Sequence, residues 1–130
     1  MSLKVIGFLC EWCAAKALEN LAFKRKTLPE GFYPIRVPCS GTVDLEVVRK
    51  ALEKGASGVL VGGCPQGECH FREGNLRAGL RIIAYQKLLS ALGLNPRKLK
   101  AVWVSASEGE KLYQEIWRFW EELKGEGSPL

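Results

Sequence analysis

The sequence predicts an α/β fold, and two observations carry the prediction. Short, nearly continuous apolar segments recur along the 130 residues, and each is followed by apolar residues at helical spacing. Glycine, proline and capping residues mark the junctions between them. Alternation of this kind builds a parallel sheet covered by helices on both faces. Right-handed crossovers then favour a single three-layer, flavodoxin-like domain with a four-stranded parallel sheet in the order 2-1-3-4.

Each element has its own justification. Leu3 to Leu9, "LKVIGFL", reads as a strand buried on both faces. From about Trp12 to Ala22, Ala14, Ala17, Leu18 and Leu21 share one helical face. "LPEGFYP" reads as a loop, and Ile35 to Val37 as a short second strand before Pro38. Asp44 opens a second helix with Val47, Val48, Ala51 and Leu52 on one face, and Gly55 stops it. Gly58 to Val61 is the third strand. A long helix from Gly74 or Asn75 to Leu92 is expected to turn Leu80, Ile83, Ala84, Leu88 and Leu92 inward, before Gly93 and Pro96 end it. Leu99 to Ala106 reads as the fourth strand. Ser107-x-x-Glu110 has the form of a capping box, opening a helix that buries Leu112, Ile116, Phe119 and Leu123. Residues 1–124 are thus expected to form one domain, and 125–130 a mobile tail.

Bulk properties narrow the function classes. A hydrophobic share of 47% and a charged share of 25% are those of an ordinary globular protein. No apolar run approaches the roughly 18–20 residues of a membrane span, and no signal peptide opens the chain. The expectation is a cytoplasmic protein without membrane contact. The net charge of +5 is scattered among acids, apart from Lys24–Arg25–Lys26, and no aromatic RNA-binding strand motif is present. This charge reads as solvated surface or as a docking patch for an acidic protein, not as a nucleic-acid site.

Five cysteines carry the chemistry. They fall in "FLCEWC" (Cys10, Cys13), "VPCSG" (Cys39) and "GGCPQGECH" (Cys64, Cys69), each cluster following an expected strand. Strand ends of a parallel sheet share one edge, where α/β folds place their sites, so the fold gathers these sulfurs. Helix N-termini at that edge offer N–H groups that stabilise thiolates. Four thiolates satisfy a [2Fe–2S] cluster, a [4Fe–4S] cluster or a zinc ion. Cys10-x-x-Cys13 suits any of these and also a thiol redox pair, whereas Cys64-x4-Cys69 resembles the wider spacing of [2Fe–2S] ferredoxins. A zinc-binding structural module and a thiol oxidoreductase using Cys10 and Cys13 therefore remain alternatives at this point.

Other residues weigh less. His70, the sole histidine, cannot supply both nitrogen ligands of a Rieske site and reads as an outer donor to the sulfurs. No phosphatase loop is present, because Lys16, His70 and Asn75 stand where its arginine would follow Cys10, Cys64 or Cys69. Arg72, Arg77 and Arg81 beside the cysteine loop, and Trp117 with Trp120 on the last helix, are candidate docking residues. Each also has a plainer reading as solvated or core surface. Trp12, between two cysteines, is placed to shield a cluster from water.

The segments "GFLCEWCAAKA", "RVPCSGTVD", "LEKGASGVLVGGCPQGECHFREGN" and "VSASEGEKL" together resemble the delta-subunit family of methyl-viologen-reducing hydrogenase. The resemblance covers roughly residues 3–123, and Cys10, Cys13, Cys39, Cys64 and Cys69 occupy the family's five cysteine positions. It implies a small member of a hetero-oligomeric complex, binding one [2Fe–2S] cluster and no substrate of its own. Such a protein takes electrons from a hydrogenase or formate dehydrogenase module. It passes them to the flavin-containing, A-type component of a heterodisulfide reductase.

Overall fold

The computed structural model of the chain describes residues 3–23, 26–38, 43–63, 74–91, 93 and 95–126. In chain order these form β1 (Val5–Cys10), α1 (Ala14–Phe23), β2 (Phe32–Val37), α2 (Leu45–Glu53), β3 (Gly58–Gly63), α3 (Gly74–Ala91), β4 (Leu99–Trp103) and α4 (Gly109–Glu126). A 3₁₀ turn at Pro96–Lys98 leads into β4. The strands make one parallel sheet in the order β2-β1-β3-β4, the order the alternating pattern predicts.

The central strands explain their own sequences. Every residue of β3 and all of β1 except Ile6 are buried, so these segments read as continuous apolar runs. Strand side chains alternate between faces and so make two cores. Val5, Leu9, Leu60 and Val102 pack with Ala14 and Ala17 of α1 and with Leu112, Ile116, Phe119 and Leu123 of α4. Phe8, Val59, Val61 and Leu99 pack on the other face with Val48 of α2 and Ile82 and Leu89 of α3. The expected faces of α1 and α4 are thus the buried ones, while on α2 Val48 is buried and Val47 is partly exposed.

Capping follows local chemistry. The Asp44 carboxylate accepts the Val47 N–H at 3.0 Å and starts α2. Gly55 and Gly93, with φ of 105° and 81°, turn the chain away from α2 and α3 in a conformation that suits glycine.

Three expectations need correcting. First, β2 begins at Phe32, not Ile35, with Pro34 in register with Gly7. β2 is a sheet edge, where the N–H that proline lacks has no neighbour to serve. Second, β4 ends at Trp103, short of Ala106. The Val104 N–H still donates to the Gly63 carbonyl, but the Ser105 N–H donates to Glu108 Oε1 at 2.8 Å. The Glu108 N–H in turn donates to the Ser105 carbonyl at 3.1 Å, so these two residues close a turn, and α4 begins at Gly109 and not directly after Ser107 as the Ser107-x-x-Glu110 pattern predicts. The Ser105 backbone N–H holds the Glu108 carboxyl below its ordinary pKa.

The third correction concerns α3, and it is the largest. Leu80, Ile83 and Leu88 are 63%, 55% and 47% exposed, and Ala84 is exposed beside them. Ile82 and Leu89 are buried in their place, with Tyr85 packed against that core. Leu92 lies outside the described residues. Both sets have helical spacing, so periodicity alone does not choose between them. Gln86 Nε2 donates to the Leu99 carbonyl at 2.8 Å and fixes which face meets the sheet.

Candidate metal centre

β1 delivers Cys10 to the carboxyl edge of the sheet. Cys10 is in register with Val37, the last residue of β2, and Leu9 with Gly62, one residue before the end of β3. Three strands therefore finish side by side. A Cβ at Gly62 would stand 2.9 Å from Leu9 Cδ2 and 3.0 Å from the Ala14 Cβ. Glycine at that position lets the start of α1 close onto β3 beside Cys10.

The turn between β1 and α1 is tight. The Cys13 N–H donates to the Cys10 carbonyl at 3.4 Å, and the Cys13 carbonyl accepts the Ala17 N–H at 2.8 Å. Cys13 thus stands just ahead of α1, which begins at Ala14 and not near Trp12 as the sequence pattern predicts. The Glu11 N–H donates to the Val37 carbonyl at 2.8 Å and ties this turn to the end of β2. Cys10 is 1% exposed, and its Sγ lies 3.9 Å from the Pro38 carbonyl, a weak S–H donation. A ligating thiolate carries no proton and gives that contact up. Cys13 is half-buried, and neither cysteine is in a disulfide. Trp12 is 42% exposed, so the side chain expected to shield the site is partly open to solvent.

Two of the five candidate ligands are thereby brought together at one edge. Cys39, Cys64 and Cys69 lie outside the described residues, as do His70 and Arg72. β2 and β3 end at Val37 and Gly63, shortly before Cys39 and Cys64 in sequence. Among the described residues no group of three or more His, Cys, Asp or Glu side chains is gathered to hold a metal ion.

The candidate docking residues separate in space. Trp117 is half-buried and donates its indole N–H to the Thr27 carbonyl at 3.0 Å, so its polar atom is used within the fold. Trp120 packs against the α1–α4 core and lines a shallow groove of about 470 Å³ with Leu3, Lys4, Tyr33 and Lys124. Leu3 and Lys4 precede β1, so this groove is at the amino edge. Cys10 is about 20 Å from Lys4 along the strand, at 3.3 Å per residue. Arg77 and Arg81 lie on the first half of α3. The outward apolar face of that same helix escaped the reading of the sequence. Its signal was present there as two separate sets of apolar residues, each at helical spacing.

Comparison with known proteins adds the following. Residues 5–127 match the family model of the methyl-viologen-reducing hydrogenase delta subunit. The chain is 39% identical over 115 residues to an F420-non-reducing hydrogenase iron-sulfur subunit from Archaeoglobus profundus, covering 88% of this chain and 84% of that protein. It is 34% identical over 124 residues to the vhc iron-sulfur subunit of the F420-non-reducing hydrogenase of Methanococcus voltae, covering 95% and 86%. It is also 38% identical over 120 residues to the A-type component of the ferredoxin:CoB-CoM heterodisulfide reductase of Methanosarcina mazei. That match covers 92% of this chain but only 15% of the reductase component. No helix among the described residues is long and apolar enough to cross a membrane.

Proposed function

The chain belongs to the delta-subunit family of methyl-viologen-reducing hydrogenase, and from that premise we propose that it is an iron–sulfur electron-transfer subunit. It carries electrons from a hydrogenase or formate dehydrogenase module to the flavin-containing, A-type component of a heterodisulfide reductase-type complex. The cofactor is a [2Fe–2S] cluster held by four of Cys10, Cys13, Cys39, Cys64 and Cys69. The observation that carries this reading is the strand register, which ends β1, β2 and β3 together at the edge bearing Cys10 and Cys13. Two relatives named as iron-sulfur subunits support it, and the reductase component containing a matching segment supports the choice of acceptor.

The donor set fits the group. Thiolate sulfur is the ordinary ligand of such clusters, and a C-x-x-C turn closed by a backbone bond presents two of them from one loop. A bound [2Fe–2S] cluster supplies one-electron storage at that edge. The chain's own residues do the rest. The first N–H groups of α1 have no partner within the helix and point toward the Cys10–Cys13 turn, where they offset negative charge on sulfur. The buried Leu9 and Ala14 beside Gly62 exclude water from the inner side of that turn.

Anaerobic purification tests the reading. The expected product is brown, contains about two irons and two sulfides per chain, and gives an EPR signal after one-electron reduction. Cys10→Ser and Cys64→Ser each remove most of that iron, while one of the five serine substitutions is tolerated. Colourless protein with stoichiometric zinc overturns the proposal in favour of a structural zinc module. Metal-independent disulfide exchange lost on Cys10→Ser alone overturns it in favour of a thiol oxidoreductase.

A further inference from the structure

Helix α3 is apolar on two opposite sides, and only one of them is covered. At 100° per residue, Leu80, Ile83, Ala84, Lys87 and Leu88 share an arc of about 140°, roughly opposite Ile82, Tyr85 and Leu89. The inner set packs on the sheet, while all five outer residues are exposed. Single exposed apolar residues are ordinary, but a contiguous stripe along one helix marks a contact surface. Rotation does not hide it, because the Gln86 bond to the Leu99 carbonyl and the buried Ile82 and Leu89 hold the helix in place.

Two further features say what covers the stripe. α3 starts at Gly74, five residues after Cys69, and Leu80 lies about 9 Å along the axis from that start at 1.5 Å per residue. A protein seated on Leu80 and Ile83 therefore covers the half of α3 that follows Cys69 in sequence. The helix sequence also carries Arg77, Arg81 and Lys87 and no acidic residue, so its charge complements an acidic rim. A second copy of this chain would instead set the exposed Lys87 against a face that also carries it and no carboxylate. In the Methanosarcina mazei relative, a segment matching 92% of this chain is only 15% of the reductase component, which places such a domain and the rest of that component in permanent proximity.

We infer that the outer face of α3, centred on Leu80, Ile83 and Leu88, is the docking surface for the A-type reductase partner. The partner presents an apolar patch bordered by acidic side chains. This inference rests on the electron-carrier reading above and adds the surface through which it acts. Leu80 and Ile83 form the end toward the start of α3, and Lys87 contributes a charge within the stripe, between Ile83 and Leu80 around the helix.

The test uses the full cluster-loaded chain and the A-type reductase flavoprotein of the same organism, both purified anaerobically and titrated together. The double substitution Leu80→Glu/Ile83→Glu is expected to weaken binding about tenfold or more, with iron content and thermal melting unchanged. Leu88→Glu weakens it less, and Lys87→Glu slows association and reduces its salt dependence. Tyr33→Glu, on the exposed edge strand β2, leaves binding intact. Equal binding by wild type and the double variant overturns the assigned surface and leaves the electron carrier standing. Failure of the loaded wild type to bind overturns the choice of partner, and the surface proposal with it. A wild-type dimer that the double variant dissolves makes the occupant a second copy and also overturns the proposal. Should the double variant lose iron or melt early, Leu88→Glu and Lys87→Glu decide in its place.

Discussion

Helices α3 and α4 are both 18 residues long, yet they use their apolar content in opposite ways. α4 commits Leu112, Ile116, Phe119 and Leu123 to the core, and its remaining surface is largely charged. Lys100 of β4 pairs with Glu115 at 3.2 Å, and Arg118 with the same carboxylate at 3.0 Å. α3 commits Ile82 and Leu89 and leaves Leu80, Ile83 and Leu88 facing outward. The difference teaches that one helix closes the domain and the other both closes it and presents a surface. The helix with the uncovered face is also the one that follows Cys64 and Cys69 in sequence.

Substitution separates these roles. Phe119→Ala is expected to cost about 3–5 kcal/mol, because a large buried ring is replaced by a cavity. Leu80→Ala should cost under about 0.5 kcal/mol, because its side chain is mostly in water already. Urea unfolding of both variants measures this, and comparable losses would break the contrast between the helices. Asp44→Ala should remove about 1 kcal/mol by uncapping α2, the helix that shares a sheet face with α3. A loss near zero in the same assay would mean that packing of Val48 alone sets that end.

Acid sharpens the comparison further. The Glu108 carboxyl is held below its ordinary pKa by the Ser105 N–H at the start of α4. Its stabilising contribution is thus fully present above the ordinary carboxylate value and is lost as pH falls through the lowered one. Melting temperature followed from neutral to acidic pH should show that loss in the wild type, reduced in Glu108→Gln. The sequence of α3 contains no carboxylate, so Leu80→Ala should leave that acid limb in place. A small effect is also expected at Arg36 and Glu19, an exposed ion pair between β2 and α1. Arg36→Ala should change stability by about 0–1 kcal/mol, and added salt should shrink even that.

Much of this architecture was legible in the residues themselves. Continuous apolar runs at β1 and β3 have to be buried on both faces, and right-handed crossovers between them leave few strand orders. Sheet order 2-1-3-4 therefore followed from pattern, as did the buried faces of α1 and α4. Cysteine spacing pointed to the carboxyl edge, and the described pair, Cys10 and Cys13, stands there. Pro34 misled because proline signals a loop unless the strand is known to be an edge, which is a property of the assembled sheet. Ser107-x-x-Glu110 misled because the motif is local, whereas the turn closed between Ser105 and Glu108 after β4 delays the start of α4 to Gly109.

Sequence by itself determined the alternation of strands and helices and the edge at which Cys10 and Cys13 stand, because periodicity and burial are local consequences of side-chain type. It did not determine which side of α3 meets the sheet. Leu80, Ile83 and Leu88 are as apolar as Ile82 and Leu89, and water penalises exposure of either set alike. Only the assembled structure decided between them, through the Gln86 bond to β4 and the shape of the core that Ile82 and Leu89 fill.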